Sequence, residues 1–188
     1  MGDSQKLCIF SYNSRGFSQD KQNTVQYLSK LCGNKVPVLL NQENFILKSN
    51  SYKINQCLPD FHVIFKAAVK DNLKSGRPKN GMFVAVPKNI KENIIDVSPS
   101  SWRIQAAILV TNGAKILLIN SYFPIDPKTM NFDDSELIET LATINQVIEN
   151  NTFDQIFWGG DINADFFRKT SCVTTVSDQI SDMNLKKS

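Results

Sequence analysis

The stretch VPVLLNQENF, residues 36–45, is an almost unbroken apolar run that ends in polar side chains. A run of that kind suits a strand buried on both faces, in an α/β fold with helices outside the sheet. Parallel strands are joined by crossover helices, and the residues before the run supply one. KLCIFSY (6–12) reads as a strand that enters a turn at Asn13 to Gly16. Ser18 can cap a helix with Val25, Leu28, Leu31 and Cys32 on one face, and Gly33-Asn34 stops it. Residues 1–45 therefore read as a βαβ unit.

Further along, the pattern changes. From Phe61 to Val69 the chain alternates, with Phe61, Val63, Phe65 and Ala67 facing one way and His62, Ile64, Lys66 and Ala68 the other. A polar link, DNLKSGRPKNG, leads to the strand MFVAVP (82–87). Trp102–Val110 and Ala114–Ser121 are two strands joined by Asn112-Gly113, the strongest hairpin signal in the chain. A helix is expected over about 135–150, with Leu137, Leu141, Ile144 and Ile148 in one stripe. Asp133, Asp134 and Glu136 lie near its positive N-terminal end. QIFW (155–158) is a last short buried strand running into Gly159-Gly160-Asp161. After Phe167 the pattern weakens, and 168–188 reads as a weakly ordered tail.

Composition removes several classes. With 188 residues, 41% of them hydrophobic and 21% charged, the chain suits one domain and is no disordered tail, collagen repeat or coiled coil. A net charge of +3 is far from that of a protein held to polyanions by bulk charge. The four cysteines include no CxxC pair and only one histidine, His62, stands by to help them, which argues against zinc. They read instead as reduced thiols of an intracellular protein, nuclear or cytoplasmic. No apolar run is long enough to span a membrane, and the N-terminus is no secretory signal. There is no Walker sequence and no GxGxxG. Serines, threonines and cysteines without a histidine make poor nucleophiles.

Polar residues cluster where the expected strands end, at the edge where α/β sheets bind ligands. Asn13 follows the first strand and Arg15 offers an anion contact. Glu43 follows the apolar run, Tyr122 follows LLINS, and Asp161 and Asn163 follow two glycines. Glu43 with Asn13 meets the oxygen-ligand demand of Mg²⁺, and Asp161 could orient or deprotonate a water. Each has an ordinary reading when taken alone. Glu43 can be a solvated residue, Asn13 a turn former, Tyr122 a core-edge residue and Asp161 a loop cap.

Taken in order, SYNSRGF, LLNQENF, GRPKNGMFVAV, SWRIQAAIL, LLINSYFP and FWGGDINADF resemble the motifs of the endonuclease/exonuclease/phosphatase superfamily. The GRPKNG stretch is most similar to the endonuclease domains of non-LTR retrotransposons. The resemblance covers residues 6–167 and implies two packed mixed sheets flanked by helices, a four-layer α/β sandwich, in one domain. It implies metal-dependent phosphoester hydrolysis with Mg²⁺ (or Mn²⁺) and DNA as the substrate. Glu43 would be the chief metal ligand, helped by Asn13. Tyr122 would contact the scissile phosphate, Asp161 would serve the attacking water, and Asn163 and Arg15 would hold phosphate. The family's late Ser-Asp-His motif is absent: Ser177-Asp178 is followed by Gln179, too soon after Asp161. The expectation is therefore a domain lacking its C-terminal portion, with an incomplete second sheet, an open edge after the last strand and weak or no activity alone. A missing C-terminal segment or a fused reverse transcriptase would be its partner. Two other readings stand beside this one, an inactive binding module on the same fold and a phosphatase-branch enzyme.

Overall fold

The computed structural model describes residues 6–70, 76–124, 135–163 and 171–182. The βαβ unit forms as expected: β1 (Leu7–Asn13), α1 (Gln19–Leu31) and β2 (Val36–Gln42), with β1 and β2 parallel and Asn13 level with Gln42. A short helix α2 (Tyr52–Cys57) leads to β3 (Phe61–Lys66) and β4 (Met82–Pro87), which complete a sheet in the order β1-β2-β4-β3. The second sheet, β5-β6-β7-β8, is built from β5 (Ile94–Asp96), β6 (Ile104–Thr111), β7 (Ala114–Tyr122) and β8 (Gln155–Asp161). Asn112 and Gly113, at φ 51° and 77°, make the tight turn between antiparallel β6 and β7. Helix α3 (Ser135–Glu149) provides the crossover that lets β8 lie parallel to β7.

Three apolar clusters define four layers. Val25, Ile54 and Leu58 of the α1–α2 side pack with Leu39 and Phe83 on the outer face of the first sheet. Val38, Leu40, Val84, Leu109 and Leu118 fill the space between the sheets. Leu137, Leu141 and Ile144 of α3 cover Ala106, Leu117 and Ile119 on the outer face of the second sheet. The two sheets with helices are the four-layer sandwich expected from the sequence.

Several local readings need correction. Leu31 does not share the buried face of α1: it is 59% exposed, because at roughly 100° per residue it lies about 120° round the helix from Val25, whereas the buried Cys32 returns to that face. The apolar run leaves the ladder at Gln42, three residues early, because Glu43 and Phe45 turn left-handed. Strand β6 starts at Ile104 rather than Trp102, which belongs to the preceding loop. Within the stretch read as a tail, residues 171–182 form α4 (Ser171–Asp182), whose Val176 is fully buried against the α3 side. Val176 and Ile180, four residues apart, supply the apolar stripe that a polar average concealed. Asp133 and Asp134 lie outside the described residues.

β1 and β8 are edge strands of their sheets, and both are only half-buried along most of their length. Near their starts, Leu7, Ile9, Ile116 and Phe157 line a cleft of about 420 Å³ beside the Asn112 turn. Cys32 and Cys57 are buried and Cys8 is half-buried. Among the described residues, no helix is long and apolar enough to cross a membrane.

Candidate active site

Because β1 and β2 run parallel, and β7 and β8 likewise, four strands end at one rim of the sandwich. Register puts Tyr122 level with Asp161 in the second sheet and Asn13 level with Gln42 in the first. The sheets meet there. Asn13 Nδ2 donates to Asp161 Oδ2 at 2.6 Å, joining residues 148 positions apart. Tyr122 donates its hydroxyl to Glu43 Oε1 at 2.9 Å. The two carboxylates, the tyrosine and the asparagine therefore converge.

The surrounding contacts fix their orientations. Asp161 Oδ1 accepts the Asn163 N–H at 3.0 Å, so both carboxylate oxygens are held. The Asn163 side chain donates to the Phe123 carbonyl at 2.8 Å and also reaches the Tyr122 hydroxyl. Asn13 Oδ1 accepts the Arg15 N–H at 2.9 Å, closing the turn after β1. Arg15 itself is exposed at the mouth, and its guanidinium makes none of these contacts. Burial, and then the hydrogen bond to Glu43, push the Tyr122 hydroxyl up to about 12, so it stays protonated and donating at neutral pH.

Backbone strain is concentrated here. Among the described residues, six non-glycine residues have positive φ, and five of them (Arg15, Glu43, Phe45, Asn80 and Asn163) lie in the loops of this rim; the sixth is Asn112 of the hairpin. Such conformations cost energy and persist where the surroundings enforce them, which is common at functional sites. The enforcement is visible. Asn44 and Phe45 donate their N–H groups to the carbonyls of Gly81 and Asn80, both at 3.0 Å, so the GRPKNG stretch clamps the turn bearing Glu43. Asn80 sits at φ 66°, a region asparagine tolerates. Gly81 cannot be replaced cheaply, because at φ 86° an added Cβ would strike the Asn44 side chain and sit 3.1 Å from the Ala68 nitrogen. Arg77 of the same stretch stacks over the Phe45 ring at 4.0 Å.

Beneath the rim lies a buried amide seam that the sequence reading missed. Gln42 Nε2 donates to Asn120 Oδ1 at 2.5 Å, and Asn120 Nδ2 donates to the Asn41 and Phe83 carbonyls at 3.0 and 3.2 Å. All these contacts cross between the sheets, and they sit directly under Glu43 and Tyr122. The signal was present as polar residues inside apolar strands, Asn41-Gln42 and Asn120, which a two-faced apolar run should not contain. Trp102 and Arg103 were also missed as neighbours of the site. The Trp102 ring lies 6.2 Å from that of Tyr122, the Arg103 guanidinium lies 4.0 Å over the Trp102 ring, and Tyr122 N–H donates to the Arg103 carbonyl at 2.8 Å.

No group of three or more histidine, cysteine, aspartate or glutamate side chains is found among the described residues. The rim instead offers two carboxylates and amide oxygens. That is a hard-oxygen set, and it fits a small divalent cation that keeps part of its water shell better than it fits zinc. His62, the chain's only histidine, stands on β3 level with Val86, toward the far end of the sandwich.

No family model matches the sequence, and no curated protein matches it. Solved structures do. The endonuclease domain of TRAS1, a telomere-specific non-LTR retrotransposon, superposes with a TM-score of 0.62 at 13% identity, covering 93% of this chain and 71% of that one. A Neisseria 3′ phosphatase, NExo, bound to a product DNA hairpin, gives 0.62 at 15%, with 93% and 70% covered. The AP endonuclease LMAP from Leishmania major gives 0.59 at 12%, covering 94% of this chain and 66% of that one. The chain thus has the endonuclease/exonuclease/phosphatase fold, and spans about two thirds to seven tenths of these neighbours. By their names, the neighbours are DNA-processing hydrolases.

Proposed function

We propose that this chain is a metal-dependent phosphodiesterase-type domain that acts on DNA, similar to the retroelement endonucleases, and that its activity on its own is weak. The observation that carries the reading is the pair of links Asn13–Asp161 and Tyr122–Glu43, which gather the polar ends of four strands at one rim. Glu43 and Asn13 would hold Mg²⁺ (or Mn²⁺), which when bound supplies positive charge to polarise the phosphoryl group. Asp161, held through both oxygens, takes the proton of the attacking water. Tyr122, neutral at physiological pH, donates its hydroxyl hydrogen toward the phosphate oxygens. Asn163 positions Asp161 and contacts phosphate, and Arg15, exposed at the mouth, meets the phosphate backbone. An intracellular location, nuclear or cytoplasmic, belongs to the same reading.

Weakness follows from the charge inventory. The only imidazole lies toward the other end of the sandwich, so no histidine serves the rim as an electrostatic group. Loss of one such group costs about 10²–10³ in rate in comparable sites. The same observation favours one alternative, an inactive binding module on this fold. Nicking of supercoiled plasmid in Mg²⁺ decides between them. The enzyme reading expects slow nicking that Glu43→Ala and Asp161→Ala each abolish. No nicking at high protein concentration, or nicking that survives both substitutions, overturns it.

A further inference from the structure

Strand alternation sends Lys66 inward. On β3, Phe61, Val63 and Phe65 pack on the outer cluster, while Ile64 belongs to the core between the sheets. Lys66 shares the parity of Ile64, and it stands level with Met82 and Gln42 in the row beneath the rim. A lysine aimed between two sheets needs full compensation. It has it: Nζ donates to the carbonyls of Pro99 at 2.7 Å, Ser101 at 2.6 Å and Ile104 at 2.6 Å. An ammonium has three N–H donors, so all are used.

Those three carbonyls bracket Trp102 and Arg103. The Arg103 carbonyl receives the Tyr122 N–H, and the Trp102 ring flanks the Tyr122 ring. The chain of contacts thus runs from the ammonium on the first sheet, through residues 99–104, to the tyrosine that meets Glu43.

We propose that Lys66 is a positioning residue for the rim, its ammonium pinning the 99–104 segment so that Tyr122 is seated against Glu43. The proposal rests on the functional reading above only for its effect on catalysis; the pinning itself does not. A neutral amine has two donors, so deprotonation releases one of the three carbonyls. Burial lowers the Lys66 ammonium to about 8, opposed by Asp96 on β5. Of the other groups around it, Met82 on β4 is uncharged, Arg103 pairs with Glu136 of α3, and Tyr122 stays neutral through that range.

Trp102 is the reporter. Trp158 is the only other tryptophan, so a Trp158→Phe background isolates the signal. In that background, emission should titrate with a midpoint near 8. Adding Lys66→Arg, which keeps charge and donors and does not deprotonate, should hold the low-pH spectrum throughout the range. Lys66→Met should give the high-pH spectrum throughout. A Trp102 signal flat from pH 7 to 9.5, or one that still titrates in Lys66→Arg, overturns the pinning, even if Lys66→Met folds poorly. In plasmid nicking at pH 7, Lys66→Met should lower kcat about tenfold with KM little changed, and Lys66→Arg should restore most of it. If the parent chain does not nick, the functional reading fails and the fluorescence arms still decide the pinning. If it nicks and Lys66→Met nicks equally well, the positioning role fails.

Discussion

The two ends of the same four strands differ in kind. At one end Asn13, Glu43, Tyr122 and Asp161 are tied to one another in an oxygen-rich rim on strained backbone. At the other, where the strands begin, the cleft of about 420 Å³ is lined mainly by Leu7, Ile9, Ala114, Ile116, Ile156 and Phe157, with no ionisable side chain. The cleft is a sizeable hollow, yet no ionisable side chain lines it. Volume alone does not mark a site; convergent polar groups with enforced geometry do.

The contrast is open to test by substitution at each end. The largest effect belongs to the rim. Asp161→Asn, or Glu43→Gln, should lower plasmid nicking by about 10²–10³ or more, with circular dichroism unchanged and the melting temperature within a few degrees of the parent. A loss of less than tenfold would remove that residue from the chemistry.

Next comes the seam under the rim. Asn120→Leu takes from the buried Gln42 amide its shortest hydrogen bond, and from the Asn41 and Phe83 carbonyls their side-chain donor, and should cost about 1–3 kcal/mol in urea denaturation. Because the seam underlies Glu43 and Tyr122, activity should fall as well. At the cleft, Phe157→Ala should cost less, about 1–2 kcal/mol, since its side chain is only half-buried and truncation of a fully buried phenylalanine costs about 3–5. Nicking should stay within twofold of the parent. A cleft variant that destroys activity while folding normally would erase the distinction between the ends.

Stability should also respond to pH. Lys66 holds its proton less tightly when folded (about 8) than at its ordinary 10.5. Between those values the unfolded chain binds more protons, so this lysine raises the unfolding free energy as pH climbs through that window. Tyr122 works the other way above pH 10, because the folded tyrosine keeps its proton to about 12 while the unfolded one ionises, and stability is lost. Denaturation curves between pH 7.5 and 10 should show the rise, and Lys66→Met should remove it.

Much of this architecture was legible beforehand, for physical reasons. The βαβ start, the Asn112-Gly113 hairpin and the α3 stripe each carry a strong local period or turn signal, and local signals survive folding. The rim residues were legible as polar endings to apolar runs. What escaped was non-local or averaged out. The inward reach of Lys66 could be read from alternation, but its three carbonyl partners lie 33 to 38 residues away. Asn120 read only as part of the Ala114–Ser121 strand, because its partners are 37, 78 and 79 positions distant. Helix α4 was lost in a polar composition, although Val176 and Ile180 alone give it a buried stripe.

The link between Asn13 and Asp161 has a consequence for synthesis. A nascent chain carries Asn13 and Glu43 out of the ribosome early, but their partners follow far behind, Asp161 by 148 positions from Asn13. Until that last strand emerges and finds β7, the earlier residues are loose ends of a half-built sandwich. The Asn13–Asp161 link is therefore absent until β8 has been made, and a product halted before Asp161 keeps Glu43 and Tyr122 but leaves Asn13 with no carboxylate to face.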